Sequence, residues 1–189
     1  MSFKNLFKVL ETMHPISDEL QRALMKEMTQ LSYPKDYLLH EAPWVADYAY
    51  FLHSGYAMSY YYLKGKKRVQ CIWTSGQIMF LPTSFIEKAQ SNEHIELVAS
   101  CELICINHTS VIRLFRDFPE TNIIYRKVMN QYYDSVKERL IDILLLSAPE
   151  RLQKLLDRLP EIEQILNQED VASYLGITPQ SLSRIKRKS

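Results

Sequence analysis

The sequence predicts an α+β protein in which a jelly-roll of short strands is followed by a long helix and a C-terminal helix-turn-helix. Three observations lead to this fold class. Short runs rich in Tyr, Val, Ile and Leu alternate with turn residues between about 36 and 106. A long helical pattern follows Pro119, and two short helical patterns flank Gly176. We therefore divide the chain into an N-terminal domain at 1–118, a long helix at 119–147 and a C-terminal domain at 148–189.

The composition is that of an ordinary globular protein. Of 189 residues, 47% are hydrophobic and 24% are charged, which is enough apolar surface for a packed core. We find neither an apolar run of transmembrane length nor the core of a signal peptide, so we expect a cytoplasmic protein without a membrane partner. The net charge is +1, but basic residues are concentrated at the end of the chain. That basic tip, formed by Arg184, Lys186, Arg187 and Lys188, either contacts phosphate or is simply solvated.

The residues that usually carry catalysis or metal binding are scattered. Three cysteines do not suit a disulfide framework, and Cys101 and Cys105 fall on one face of a predicted strand, which favours burial over a metal or redox role. A metal-binding jelly-roll would need closely spaced His ligands, and no His-x-His pair occurs among His14, His40, His53, His94 and His108. Gly-x-Ser-x-Gly, P-loop and Cys-x-x-Cys motifs are missing as well. We expect neither an enzyme nor a metal site.

The first half of the chain is predicted to change from helix to strands. Residues 16–31 have the apolar spacing of a helix that Tyr33-Pro34 closes, with Ser17 as N-cap and Asp18 and Glu19 in its first turn. Turn residues then separate seven candidate strands, at 36–41, 48–54, 56–63, 68–73, 77–82, 95–100 and 102–106. Strands this short and this regularly spaced are typical of an antiparallel sandwich or barrel.

The long helix is predicted to mediate dimerisation. A helical segment begins near His108, and a second helix runs from Glu120 to about Ser147. The second helix would span about 40 Å, more than one small domain can cover. Its apolar residues recur with nearly heptad spacing, as in a coiled coil, at Tyr125, Met129, Tyr132, Val136, Leu140 and Ile143. A second copy could cover this seam and give a two-fold homodimer, and the alternative is a helix lying on its own barrel.

The last forty residues hold the strongest motif. Ser147-Ala148-Pro149 is a natural boundary, and a helix is predicted from Glu150 to about Leu159. Asn167 can cap a helix that reaches Leu175, and Gly176 suits a left-handed residue after it. Thr178 can cap the next helix, with Pro179 at its first position. Positions between the two helices are apolar or small: Val171, Ala172, Leu175, Ile177, Leu182 and Ile185. This pattern predicts a helix-turn-helix, against the alternative of a structural hairpin without a partner.

The outward face of the last helix carries the residues of a candidate DNA interface. Gln180 and Arg184 can reach base edges, where Gln pairs with adenine and Arg with guanine. Hydroxyl and basic side chains around them suit phosphate contacts, and Thr178 lies at the helix start. The candidate DNA-binding residues are Thr178, Pro179, Gln180, Ser181, Ser183, Arg184, Lys186 and Arg187. For each of them, a solvated surface position is the alternative.

Taken together, these features resemble the Crp/Fnr family of bacterial transcription regulators, whose namesake is the cyclic-AMP receptor protein. The resemblance covers nearly the whole chain, and its most specific stretch, VASYLGITPQSLSRIKRK, is similar to a branch common in Bacteroidetes-type bacteria. It implies a cyclic-nucleotide-binding-like sensor at 1–118 and a homodimer that binds double-stranded DNA, with RNA polymerase as a further candidate partner. By resemblance Gln180 and Arg184 occupy base-contacting positions. Pro179 replaces a frequent Arg, so the preferred DNA sequence should differ, and we expect no full wing after the recognition helix.

The resemblance also locates a candidate ligand pocket. Family members that bind cyclic AMP carry Gly-Glu and Arg-Ser/Thr pairs around the phosphate, which here align near Phe80-Leu81 and Glu93-His94. Phe80 prevents the close backbone approach that Gly allows, and Glu93 would repel a cyclic phosphate. We therefore expect weak or no cyclic-AMP binding, no cofactor and an unidentified small effector. The candidate pocket residues are Phe80, Leu81, Thr83, Ser84, Phe85, Glu93 and His94. A collapsed, filled pocket is the alternative.

Two functions stay open at this point. The first is a DNA-binding transcription regulator, whose effector, operator and sign of regulation the sequence does not give. The second is a ligand-binding or protein-interaction module that no longer binds DNA. The missing wing and the modest charge of the C-terminal domain favour the second slightly.

Overall fold

A computed structural model describes residues 3–187, so Lys188 of the basic tip and Ser189 lie outside the described residues. Within that range the helices are α1 Lys4–Met13, α2 Asp18–Glu27, α3 Pro82–Glu87, α4 His108–Asp117, α5 Pro119–Leu145, α6 Ala148–Arg158, α7 Ile162–Ile165, α8 Gln168–Tyr174 and α9 Pro179–Lys186. The strands are β1 Thr29–Tyr33, β2 Leu38–His40, β3 Tyr48–Ser54, β4 Tyr56–Leu63, β5 Lys66–Thr74, β6 Ile78–Met79, β7 His94–Leu97 and β8 Cys101–Asn107.

The strands form a jelly-roll of two antiparallel sheets, in the orders β1-β8-β3-β6 and β2-β7-β4-β5. All seven predicted strands are present, although β2, β6 and β7 are shorter than expected. Side chains between the sheets are almost fully enclosed, as at Leu52, Ala57, Leu97 and Leu103. The main core therefore lies between the two sheets, as in the antiparallel sandwich that the sequence predicts.

The prediction for the N-terminal region is wrong in two respects. Helix α1 is additional to the prediction, and α2 ends at Glu27 instead of residue 31. The segment 29–33 is strand β1, which pairs with β8 along its whole length, from Thr29 opposite Cys105 to Tyr33 opposite Cys101. Pairing with a distant strand overrides the local helical spacing. The predicted N-cap is confirmed, because Ser17 Oγ accepts a hydrogen bond from the Leu20 N–H at 3.2 Å.

The long helix α5 has two different halves. Its N-terminal half packs on the jelly-roll through Thr121, Ile124 and Val128, and the predicted seam residues Tyr125 and Met129 pack against that same core. Further along, Val136, Leu140 and Ile143 are 53%, 56% and 41% exposed. The first half of the helix therefore lies on its own barrel, which was the alternative to a dimer helix. The second half presents an apolar surface to solvent.

The C-terminal domain is docked on the outer face of the jelly-roll. Helix α6 begins at Ala148, two residues before the predicted start, because Ser147 and Glu150 form a capping box. A second hydrophobic core joins the two parts of the chain. It contains Leu152, Leu155, Ile162, Val171 and Leu182 of the C-terminal helices and Met58, Tyr60, Val69 and Ile72 of β4 and β5.

Two of the cysteines, Cys101 and Cys105, are buried as the sequence predicts, and Cys71 is partly buried. Cys101 and Cys105 are 2% and 5% exposed on β8, and burial raises the pKa of both thiols. All three cysteines are free thiols. In the part of the chain that the structure describes, no three His, Cys, Asp or Glu side chains converge as they would at a metal ion. Among the same residues no helix has the length and apolar character to cross a bilayer.

Candidate nucleic-acid interface

The turn between α8 and α9 has the conformation that its sequence predicts. Asn167 caps α8, its side-chain oxygen accepting from the Asp170 N–H at 2.8 Å. Gly176 has a φ of +70°, the left-handed conformation that glycine adopts without steric cost. The next N–H, that of Ile177, donates to the Ala172 carbonyl at 3.0 Å and so closes the end of α8.

Helix α9 is held at its start by a cap and at its inner face by apolar packing. Thr178 Oγ1 accepts from the Ser181 N–H at 3.2 Å, which confirms the predicted N-cap. Leu182 and Ala172 are both fully buried, so the two helices approach each other closely at this point. Fixing α9 in this way leaves one of its faces directed to solvent.

Three long side chains occupy that outward face. Gln180, Arg184 and Arg187 are exposed, and within residues 3–187 their side chains make no hydrogen bond or ion pair. Positions 180, 184 and 187 lie on one side of a helix because they are four and three residues apart. The arrangement offers one amide and two guanidinium groups to a ligand outside the chain.

The other predicted contact residues are engaged within the domain or partly covered. Lys186 Nζ forms an ion pair with Glu163 of α7 at 2.6 Å. Ser183 Oγ donates to Gln168 Oε1 at 3.4 Å, and the hydroxyls of Thr178 and Ser181 are 3.0 Å apart. Pro179 is half-buried in the first turn of α9. Part of the positive charge that the sequence suggested for DNA is therefore neutralised internally.

A cavity of about 480 Å³ lies between β5 and the second half of α5, and we call it the α5 cavity. It is lined by residues of the jelly-roll, of α5 and of the C-terminal domain, among them Cys71, Trp73, Tyr132, Arg158 and Tyr174. Its size and its mixture of apolar and polar walls are those of a small-molecule site.

The structure brings only two of the seven predicted pocket residues to the α5 cavity, Phe80 and Glu93. Burial raises the pKa of the Glu93 carboxyl there. Ser84 is enclosed elsewhere, its hydroxyl accepting from the Ala46 N–H and donating to the Ala89 carbonyl. His94 stacks on Tyr60 with ring centroids 5.0 Å apart. Of the remaining three, Leu81 and Phe85 are buried outside this cavity and Thr83 is exposed on α3.

Comparison with solved structures establishes the fold. No model of a protein family matches the sequence, and a comparison with curated proteins finds no relative. Among solved structures, a Crp/Fnr-family transcriptional regulator from Eubacterium rectale is similar with a TM-score of 0.74 and 15% identity, over 92% of this chain and 83% of that one. The c-di-GMP responsive global regulator CLP of Xanthomonas campestris is similar with a TM-score of 0.72 and 15% identity, over 91% of each chain. FixK2 from Bradyrhizobium japonicum is similar with a TM-score of 0.70 and 18% identity, over 85% of this chain and 83% of that one.

The chain has the fold of the Crp/Fnr-type regulators. The resemblance drawn from the sequence is confirmed at this level, while the Bacteroidetes-type branch stays a prediction. Within the Crp/Fnr-type fold, the α5 cavity lies where the jelly-roll, the long helix and the helix-turn-helix meet. Two clusters of polar contacts cross that junction, and the sequence indicates neither of them.

The first cluster is centred on Arg139 of α5. Its guanidinium donates to the carbonyls of Val69 and Gln70 on β5, both at 3.1 Å, and to the carbonyl of Tyr174 on α8 at 3.0 Å. Ser173, next to Tyr174, accepts from the Val69 N–H at 2.9 Å and donates to the Lys67 carbonyl at 3.1 Å. These partners are distant in sequence, so no local pattern could have indicated them.

The second cluster is an ionic group around Lys67. The ammonium lies 3.1 Å from Glu96, 3.8 Å from Asp170 of α8 and 4.1 Å from the ring centroid of Tyr60. Burial raises the pKa of Asp170, although the charge of Lys67 opposes the shift. The acidic residue that supports the first turn of α8 therefore also ties the helix-turn-helix to the jelly-roll.

Proposed function

We propose that this protein is a homodimeric transcription regulator of the Crp/Fnr family that binds double-stranded DNA through α9. The observation that carries the proposal is the unpartnered outward row of Gln180, Arg184 and Arg187 on a helix held rigidly by its cap and by Leu182. Side chains of these types can make bidentate contacts with base edges or pair with phosphate. The similar regulators support the proposal at the level of the fold.

The apolar half of α5 supports the dimer. Tyr133, Val136, Leu140 and Leu144 are between 53% and 71% exposed and follow one another at helical spacing. An apolar surface of this kind on a free monomer is unfavourable, and a second copy of the helix can bury it across a two-fold axis. Two copies of α9 must then lie about 34 Å apart to enter successive major grooves.

We further infer that a small effector acts through the α5 cavity. A ligand there would touch the jelly-roll at Glu93, α5 at Tyr132 and α8 at Tyr174. If it binds one arrangement of these elements more tightly, it shifts the population toward that arrangement. We expect no micromolar affinity for cyclic AMP, because Glu93 disfavours a phosphate, and calorimetry tests this. RNA polymerase as a partner and a cytoplasmic location follow from the same proposal.

The test of DNA binding is a fluorescence anisotropy titration on random duplex at increasing salt. We expect the affinity to fall steeply with salt because phosphate contacts release counterions. On a site selected from a random library, Arg184→Ala should lose about 1–3 kcal/mol and relax the preference at one base position. The matched control is Arg126→Ala, an exposed arginine on α5. Absence of binding in dilute buffer would refute the proposal.

A non-DNA-binding interaction module is the second candidate function. The observation in its favour is the ion pair between Lys186 and Glu163, which removes one cation from the α9 face. The same titration distinguishes the two candidates. A strictly monomeric protein that does not bind duplex DNA at any salt concentration would support the interaction module and exclude the transcription regulator.

A further inference from the structure

A second cavity lies inside the N-terminal domain, between α1 and α2 on one side and β3, β8, α4 and α5 on the other. Its volume is about 140 Å³, and we call it the apolar cavity. Leu10, Leu24, Ala49, Phe85 and Leu114 are among the residues that line it. None of its lining residues is fully exposed, but Met28, Phe115 and Tyr125 are only half-buried, so the cavity is a deep apolar pocket that is partly open at its rim.

The wall of the apolar cavity has few groups that could form hydrogen bonds with water. Its polar side-chain groups are the hydroxyls of Thr121, Tyr50 and Tyr125. The Thr121 hydroxyl already donates to the carbonyls of Leu114 and Phe118, at 3.0 and 2.5 Å. An internal water needs two to four polar partners, and a cavity lined by Leu, Ile and Phe stays dry. Water is therefore a poor occupant.

The size of the apolar cavity is that of a small organic molecule. Protein interiors are close-packed, and voids much larger than a water molecule are few. An engineered cavity of roughly 150 Å³ with a wall of this type takes up benzene and xenon. We propose that the apolar cavity is a binding site for a compact apolar molecule about the size of benzene, aromatic or branched aliphatic.

The site also lies next to the elements that face the α5 cavity. Ile78, Phe80 and Val128 line both cavities, so one wall separates them. Ile124 and Val128 belong to α5, which continues to the exposed apolar surface and to Arg139. A molecule in the apolar cavity would therefore press on the start of the long helix. The binding claim itself does not depend on DNA recognition.

The test compares the thermal unfolding of the full-length protein with benzene and with phenol. A ligand that binds only the folded state raises the melting temperature. We expect benzene to raise it and phenol, at equal concentration, to raise it less, because the wall is almost entirely apolar and burying the added hydroxyl there costs free energy. Equal shifts for both compounds, or none, would overturn the proposal.

A filled-cavity variant and a direct measurement complete the design. Ala49→Leu places extra carbon atoms in the apolar cavity and should abolish the benzene shift. Ala148→Leu makes the same change at a half-buried residue outside it and should keep the shift. Should Ala49→Leu fail to fold, crystals of the unaltered protein under xenon give the answer. A xenon peak among Leu24, Phe85 and Ile124 supports the site, and an empty cavity refutes it.

Discussion

The guanidinium of Arg139 lies over the ring of Tyr174, 4.7 Å from its centroid, and donates a hydrogen bond to the carbonyl oxygen of that same residue. One side chain thus links the exposed half of α5 to the last residue of α8. Because it also holds the β5 carbonyls of Val69 and Gln70, it fixes the position of the helix-turn-helix relative to the jelly-roll.

We predict that Arg139→Gln loosens the docking of the C-terminal domain. The shorter amide cannot span the three carbonyls or stack on Tyr174, and hydrogen bonds from a charged donor are worth about 1.5–3 kcal/mol each. Hydrogen exchange should become faster at the backbone amides of β5 and α8. Arg126→Gln, on the same helix and exposed, serves as the control. Unchanged protection in Arg139→Gln would show that apolar packing alone holds the domain.

We predict that Leu140→Glu converts a dimer into a monomer. Leu140 is 56% exposed in the single chain, and a carboxylate at a paired apolar surface would be buried without a partner. Sedimentation velocity should show the change in mass. Asn130→Glu introduces the same charge at an exposed α5 position outside the apolar seam and should stay dimeric. A dimer that survives Leu140→Glu would place the interface elsewhere.

We predict that Gly176→Ala destabilises the protein by about 1–2 kcal/mol, the cost of a left-handed conformation for a residue with a Cβ. An added Cβ would have no neighbour within 4 Å, so the cost is conformational and not a clash. Gly65 has nearly the same φ, +72°, and the same open surroundings. Denaturant unfolding should therefore give similar losses for both alanine variants, whereas only Gly176→Ala should weaken DNA binding. Loss of DNA binding in both would point to a general folding defect.

We predict an acid-sensitive contribution from Glu120. A hydrogen bond from the Ser17 hydroxyl, at 2.5 Å, lowers the pKa of this carboxyl below 4.5, so the folded state favours the ionised form. The stabilisation is present above pH 4.5 and is lost as the pH falls through the folded-state pKa. The difference in melting temperature between the unaltered protein and Glu120→Gln should be largest at neutral pH. It should disappear at acid pH, where Glu120 is protonated. Glu161→Gln is the control, and a pH-independent difference would contradict the assignment.

The helix-turn-helix was predictable because its determinants are local. Asn167, Gly176 and Thr178 act on backbone groups within a few residues of themselves, and their roles can be read from neighbouring positions. The strands at 48–63 were predictable from composition, since apolar and aromatic runs rich in β-formers are bounded there by the turn residues Gly55 and Lys64-Gly65. Strand β1 was not predictable, because its five residues adopt the strand conformation only through their pairing with β8.

The candidate ligand site was less predictable than the DNA interface. Alignment on the resemblance indicated Phe80 and Glu93, which line the α5 cavity, but also five residues that do not. Arg139 and Arg158, which do line it, come from α5 and α6. Charged residues on helices usually face solvent, so nothing in their local sequence indicates that a sheet and a second domain meet there.

By itself the sequence determined seven of the strands, the long helix and the turn that orients α9, because capping, glycine conformation and apolar composition act over a few residues. Only the tertiary structure decided that β1 is a strand, that α5 is covered at one end and bare at the other, and that Arg139 and Lys67 tie the C-terminal domain to β5. Those outcomes depend on which distant surfaces come into contact. The free energy of burying these surfaces comes from segments far apart in the chain, and the local sequence of one segment does not indicate which other segment it will contact.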